Sequence, residues 1–352
     1  MKIAVIGNGW ATRQLHLPAL RAVSDAELVG GCDTDRERRS AWQRETGTPV
    51  FESAEELLER CRPEAVIVAT PPDSHASLAI ASVESGAHLI CEKPLADSLS
   101  EADRILAVAE AAGRRVAVNQ HMRETPIFTA LRRRIESGVD GRLVLCQVTQ
   151  LVESGAGLDE RAEWRRRLAD GVLLEGGIHL VDLVNYLLGA PPLAVTAHRS
   201  AGPRGGTGDP IALVTSEHPA GTLAQVTMHR LFPATTRYVE VRADCERASL
   251  RASMGGRALL QVGKERGHRA GARLDLAPGG LAWVEQGRRR HTLARAPRPA
   301  GVHGSTALLA DAIDAFQRDR EPRSSGRHAR DALAVVEAAY RSATEGRRVE
   351  VG

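Results

Sequence analysis

The sequence predicts an α/β protein: an N-terminal Rossmann domain with a doubly wound parallel sheet, followed by an α+β domain with a largely antiparallel, open-faced sheet. Three observations predict it. Short apolar runs alternate with amphipathic segments over residues 1 to about 120, and from about 124 onward strand follows strand with few helices between. The 352 residues also exceed the ~250–300 at which a single hydrophobic core stops growing. The expected division is 1–120 for nucleotide binding and 121–352 for substrate binding and oligomerisation.

In the first part KIAVIG, ELVGGCD, EAVIVAT, HLICE and RRVAVN read as strands, several of them apolar on both faces as a helix-covered parallel sheet requires. Helical patterns run from Ser53 to Cys61, Ser74 to Ser85 and Ser98 to Ala112, the last with Glu101 at capping-box spacing from Ser98. Short joints between strand and helix make the crossovers right-handed. In the second part a helix near Pro126 to Gly138 precedes strands at Leu143–Val152, Leu193–His198, Ile211–Glu217, Thr222–His229 and Arg237–Ala243. A helical insert, Leu173 to Leu188, interrupts them. The tail returns to helix at Ser305–Phe316 and Arg327–Glu345, the latter expected to pack back on the first domain.

Composition excludes several classes. A net charge of +3 and no basic run interleaved with aromatics leave no footprint of a nucleic-acid binder. Arginine clusters such as Arg132-Arg133-Arg134 and Arg288-Arg289-Arg290 read as solvated faces. Five cysteines, odd in number, far apart and without C-x-x-C, predict neither a disulfide framework nor a metal site, and fit reduced thiols in the cytoplasm. No apolar run approaches the ~18–20 residues of a membrane span, and MKIAVIG reads as a strand rather than a signal peptide.

Gly7 and Gly9 stand where a dinucleotide fingerprint G-x-G-x-x-G begins, with Thr12 in place of the third glycine. The first glycine makes the turn, the second lets a pyrophosphate approach, and the next helix offers its free N–H groups. Asp33 ends the second strand 24 residues beyond Gly9, where an acid takes the ribose 2′-hydroxyl of NAD. NAD is therefore the expected cofactor, with NADP the alternative that Arg36 and Arg38 keep open.

ATPPDSH (69–75) and CEKP (91–94) follow the next strands on their carboxyl side, where ligands bind in such sheets. Lysine occurs only at Lys2, Lys93 and Lys264 among 47 Lys plus Arg. Position 93 thus calls for what arginine lacks, a compact charge that desolvation or a nearby cation can remove.

With NQHMRETP (119–126), EGGIHLVDLVNYLLG (175–189) and the closing ALAVVEAAYRSATEGRRVEV, these stretches resemble the glucose-fructose oxidoreductase, inositol dehydrogenase and rhizopine-catabolism family (Gfo/Idh/MocA) over nearly the whole chain. The resemblance implies that Lys93, Glu175 and His179 serve substrate binding and proton transfer. Glu175 stands where the family's D-x-G-x-H helix has aspartate, and the upstream glycine run is reduced to ADG, 169–171. It further implies a cofactor site of Gly7, Gly9, Trp10, Ala11, Thr12, Asp33, Arg38, Thr70, Pro71, His75, Glu92, Lys93 and Asn119, and a homodimer or homotetramer.

Glu175 and His179, four apart on the expected helix, share a face, and Asp182 extends it by a turn. The expected reaction is hydride transfer between a secondary alcohol of a sugar or cyclitol and nicotinamide. His179 would be the base, Lys93 the donor to the substrate oxygen, and Glu175 the orienting group. Trp164, Arg165, Arg123 and Asp182 are further substrate candidates: a stacking surface, two cations for an acidic group, and a carboxylate on the same helix. Two other readings stand beside this one. One is an NAD-dependent glycosidase with transient redox and no net oxidation; the other is a non-catalytic dinucleotide sensor.

Overall fold

Strands β1 (Lys2–Ile6), β2 (Glu27–Cys32), β3 (Val50–Phe51), β4 (Ala65–Val68), β5 (His88–Cys91) and β6 (Val116–Val118) pair in parallel, in the order β3-β2-β1-β4-β5-β6. The computed structural model describes residues 1–152, 171–200, 210–230, 239–255, 257–263, 271–277 and 279–352. Every residue of β4 is fully buried, as a strand covered on both faces demands. The covering helices are α1 (Leu17–Ala22), α2 (Arg36–Thr46), α3 (Ala54–Cys61), α4 (His75–Glu84) and α5 (Leu99–Ala111). Ser53 and Ser98 cap α3 and α5 by accepting from the N–H of Glu56 and Glu101.

Helix α2 was not expected from its sequence. RERRSAWQRET carries a single large apolar residue, Trp42, so its periodicity is mute. Two local devices form the helix. The Asp35 side chain accepts from the N–H of Glu37 and Arg38, and Trp42 is fully buried over Gly31, where a Cβ would stand 2.5 Å from the indole.

The second sheet has nine strands in the order β16-β15-β12-β11-β7-β10-β9-β8-β17. They are β7 (Leu143–Leu151), β8 (Ala194–Ser200), β9 (Ile211–Glu217), β10 (Leu223–His229), β11 (Val239–Cys245), β12 (Ser249–Met254), β15 (Gly280–Gln286), β16 (Arg289–Ala296) and β17 (Val349–Glu350). A separate hairpin is made of β13 (Arg257–Gly263) and β14 (Gly271–Ala277). Every adjacent pair in the large sheet is antiparallel except β7 with β10. Strands β12 to β16 were not expected; their frequent charged and small residues hide the alternation that marks a strand.

Helices α6 (Pro126–Glu136), α7 (Ile178–Leu188) and α9 (Gly326–Glu345) pack on one face of this sheet, while α8 (Ala300–Gln317) lies against α1 and the crossover turn His121–Glu124. The other face carries Gln147, whose Nε2 donates to Gln225 Oε1 at 2.8 Å, and the exposed Leu213 and Leu223. Helix α9 also reaches the first domain, where Glu337 accepts from the N–H of Leu99 at the start of α5. Among the described residues no helix is long and apolar enough to cross a membrane.

Candidate active site

The first wall is the turn after β1. Gly7 takes φ +94°, and a Cβ there would lie 2.7 Å from the Ala69 carbonyl oxygen, so the loop lies against the end of β4 only because the position is glycine. Nothing lies within 4 Å of where a Gly9 Cβ would stand, leaving the backbone open to a phosphate. Thr12 is fully buried and donates its hydroxyl to the Gly7 carbonyl at 2.5 Å. It thereby closes the loop that a third glycine would otherwise pack. The helical path opens with a wide π turn, Thr12–His16, and Trp10 stands 71% exposed beside it, next to Ala11.

Asp33 at the end of β2 accepts from the N–H of Asn8 (2.7 Å) and of Asp35 (2.9 Å), with Arg38 Nη1 3.8 Å from its Oδ2. A carboxylate has about four lone-pair sites, so a ribose hydroxyl can still be accepted here. The residues fit a dinucleotide: an open glycine backbone, an acid at the second strand, and buried Asn8 Oδ1 and Gln120 Oε1, which have no partner among the described residues.

His75 departs from expectation. It is fully buried, with Nδ1 2.7 Å from the Pro94 carbonyl and Nε2 2.9 Å from that of Thr70. Its ring clamps the Thr70-Pro71 turn to the Lys93-Pro94 turn from beneath and has no surface for a cofactor. Glu92 joins three elements: its Oε1 is 2.9 Å from His16 Nε2 and accepts from Asn119 Nδ2 at 2.7 Å, while Asn119 Oδ1 accepts from Ser305 of α8. Burial works against the charge, but the contacts with His16 and Asn119 hold the carboxyl down at about 2.

Opposite stands the helix from the second part. Its first turn, Leu173–Gly177, is also a π turn and carries Glu175; α7 follows with His179. The Lys93 ammonium donates to the Glu175 carbonyl oxygen and lies 3.9 Å from Glu175 Oε1. His179 is 6% exposed, and its Nδ1 has no partner among the described residues. Burial, the Lys93 charge and His121 push its pKa well below the usual histidine value. Thus Lys93 meets Glu175, and its charge reaches His179 one turn further along the helix.

Two substrate candidates are corrected. Arg123 and Asp182 form a bidentate pair, Nε to Oδ2 at 2.9 Å and Nη2 to Oδ1 at 2.5 Å, with side chains only 3% and 1% exposed. Each neutralises the other between the crossover turn and α7, so neither faces a substrate. Trp164 and Arg165 lie outside the described residues.

Two residues that sequence reasoning missed complete the wall. His121 meets His179 edge to face, and burial pushes it down to about 4. Arg230, just past β10, is ion-paired with the Glu175 carboxylate. The signal for His121 was present in NQHMRETP; for Arg230 there was none, since only the pairing of β10 in the sheet brings it near the helix.

Residues 1–120 match the GFO_IDH_MocA model, an oxidoreductase family with an NAD-binding Rossmann fold, and residues 132–351 match that family's C-terminal alpha/beta domain. The chain belongs to the GFO/IDH/MocA oxidoreductase family. It is 30% identical over 361 residues to the D-apiose dehydrogenase of Paraburkholderia graminis, covering 99% of this chain and 89% of that protein. It is 31% identical over 200 residues to the 1,5-anhydro-D-fructose reductase of Ensifer adhaerens, covering 56% and 60%. Its fold is that of an Agrobacterium radiobacter oxidoreductase solved with NAD+, L-tartaric acid and magnesium: TM-score 0.83 at 22% identity, over 100% of this chain and 98% of the other. This GFO/IDH/MocA protein is accordingly an NAD(P)-dependent oxidoreductase whose Rossmann domain is built for the nicotinamide nucleotide.

Proposed function

We propose that the enzyme transfers a hydride between nicotinamide and a secondary alcohol or ketone of a sugar, sugar acid, aminosugar or cyclitol, with His179 moving the proton and Lys93 polarising the substrate oxygen. The observation that carries it is the contact of Lys93, from the end of β5, with Glu175 on the helix facing it, one turn before His179, which feels the Lys93 charge. The bound nicotinamide supplies the hydride acceptor or donor.

Burial holds His179 neutral, so its imidazole can take the hydroxyl proton; Nδ1 is fully buried, which leaves Nε2 as the ring nitrogen open to a substrate. Lys93 donates to the same oxygen and favours the alkoxide as charge develops. Glu175 holds Lys93 in place from the helix side. The sugar-directed names of the two curated relatives support the substrate class. The carboxylate of Asp33 at the second strand supports NAD over NADP. The helix-free face of the nine-stranded sheet, with Leu213 and Leu223 exposed, supports a homodimer or homotetramer. Widely spaced cysteines fit a cytoplasmic setting.

The test is a panel of polyols, aldoses, sugar acids and aminosugars, each offered with NAD+ and with NADP+ while reduced nicotinamide is followed by absorbance. Formation of NADH with at least one member, lost in Lys93→Arg and His179→Asn while NADH binding persists, is the expected result. Glycoside cleavage without net NADH would replace this reading by the transient-redox hydrolase. Cofactor binding with no turnover of any member would replace it by a sensor.

A further inference from the structure

We infer that His121 is a positioning residue whose ring, in place of a hydrogen bond, fixes the imidazole of His179 in the orientation that faces the substrate. A working histidine is usually held through its second ring nitrogen, by an acceptor that sets both tautomer and ring plane. His179 has no such acceptor: its Nδ1 is buried and without a partner among the described residues. What it has is a second ring. The His121 imidazole meets it edge to face, with centroids 4.8 Å apart and planes 70° apart, inside the range that aromatic pairs prefer.

Both elements that carry the rings are fixed. Asp182 lies one turn beyond His179 on α7, and its bidentate pair with Arg123 clasps that stretch of helix to the crossover turn, two residues from His121. The turn is also closed internally. The Arg123 N–H donates to the Gln120 carbonyl at 3.2 Å, the Thr125 N–H to the Met122 carbonyl at 2.9 Å, and the Thr125 hydroxyl to the His121 carbonyl at 3.2 Å. Helix α8 lies directly against it at Gly304, where a Cβ would stand 2.3 Å from the His121 carbonyl oxygen, and at Gly301, where a Cβ would stand 3.7 Å from His121 Nε2. Backbone and ring of His121 are thus both backed by α8. The His179 ring, by contrast, has two side-chain torsions that only packing can set.

A base must hold its lone pair in line with the hydroxyl proton, and a misplacement of about 1 Å can cost on the order of 100-fold in rate. Nothing in this role calls for a titrating group at position 121. A flat ring of similar size should serve, whereas an aliphatic side chain should not.

The effect on rate rests on the reading of His179 as the base; the orientation does not, and it is measured without substrate. Full-length protein carrying [13C]histidine, with NAD+ bound, is followed by ring-carbon relaxation, the His179 resonance among the 12 histidines being assigned by its loss in His179→Asn. The His179 ring is expected to be as rigid as the backbone in the unmutated protein and in His121→Phe, and to gain fast motion in His121→Leu and His121→Ala. On a substrate that is turned over, these last two should lose about 10-fold or more in kcat with little change in KM, and His121→Phe should recover most of the loss. His121→Leu, which fills the space, decides the matter if His121→Ala does not fold. A His179 ring equally rigid, or equally mobile, in His121→Leu and His121→Phe overturns the inference, as does a mobile ring with kcat unchanged. If no member of the panel is turned over, the relaxation data alone decide.

Discussion

The rings of His121 and His179 meet edge to face, 4.8 Å between centroids and 70° between planes, one from the crossover turn and one from the helix across the site. Both are buried and both are held neutral. A base with a depressed pKa stays ready at lower pH than a free histidine. For alcohol oxidation, kcat/KM should accordingly hold as pH falls through the ordinary histidine value of 6.5 and decline only below it. Initial rates across pH check this; an acid limb centred at or above 6.5 contradicts it. His179→Asn should lose about 100-fold or more in turnover.

Stability should follow the same groups. The folded pKa of His121 is about 4, below the 6.5 of the unfolded chain, so between these values the unfolded state binds more protons. The contribution is fully present above pH 6.5 and is lost as pH falls toward 4, on the order of 3 kcal/mol for His121 alone. Urea unfolding at pH 7.5 and pH 5 would measure about 2 kcal/mol of it, and His121→Asn should flatten the dependence.

The two glycines of the first turn should separate folding from binding. Gly7→Ala meets both the φ of +94° and the Ala69 carbonyl, and should lower thermal stability by about 1–3 kcal/mol, the usual cost of such backbone strain. Gly9→Ala meets nothing within 4 Å of its new carbon. It should fold normally yet bind NADH more weakly in a fluorescence titration, because the methyl occupies the face where the pyrophosphate approaches.

Arg123 and Asp182 should behave as a unit. Truncating either alone strands a buried charge and should cost ~3–5 kcal/mol, whereas replacing both with apolar residues of similar volume should cost far less. Unfolding curves of Arg123→Met, Asp182→Leu and the double variant would show it. A double variant that costs the sum of the two single changes would mean the pair is not coupled.

These residues also mark what the sequence made legible. The strands β1, β2 and β4 to β6 could be read because a doubly covered sheet needs unbroken apolar runs, and Lys93, Glu175 and His179 because two motifs carried them. Arg123 and Asp182 could not be told from substrate ligands: they lie 59 residues apart, and only the packing of the crossover turn on α7 makes them each other's partner. His75 sat in the right loop, yet which way its ring turned depended on two carbonyls from separate turns. Helix α2 rests on a cap and one tryptophan rather than on periodicity, and Arg230 gains its meaning from a sheet neighbour. Local pattern specifies elements; long-range pairing specifies which polar groups remain for chemistry.

The outer edge of β6 is closed from far down the chain: the Val118 N–H donates to the Ser324 carbonyl at 2.9 Å, the Ser324 hydroxyl donates back to the Val118 carbonyl, and Ala117 bridges Ser325. The two partners are 206 positions apart. On the ribosome, the nucleotide-binding half therefore emerges with a raw sheet margin that stays unpaired until nearly the whole polypeptide has been made. Such a margin is an invitation to aggregate, and a product cut short before Ser324 would carry it permanently.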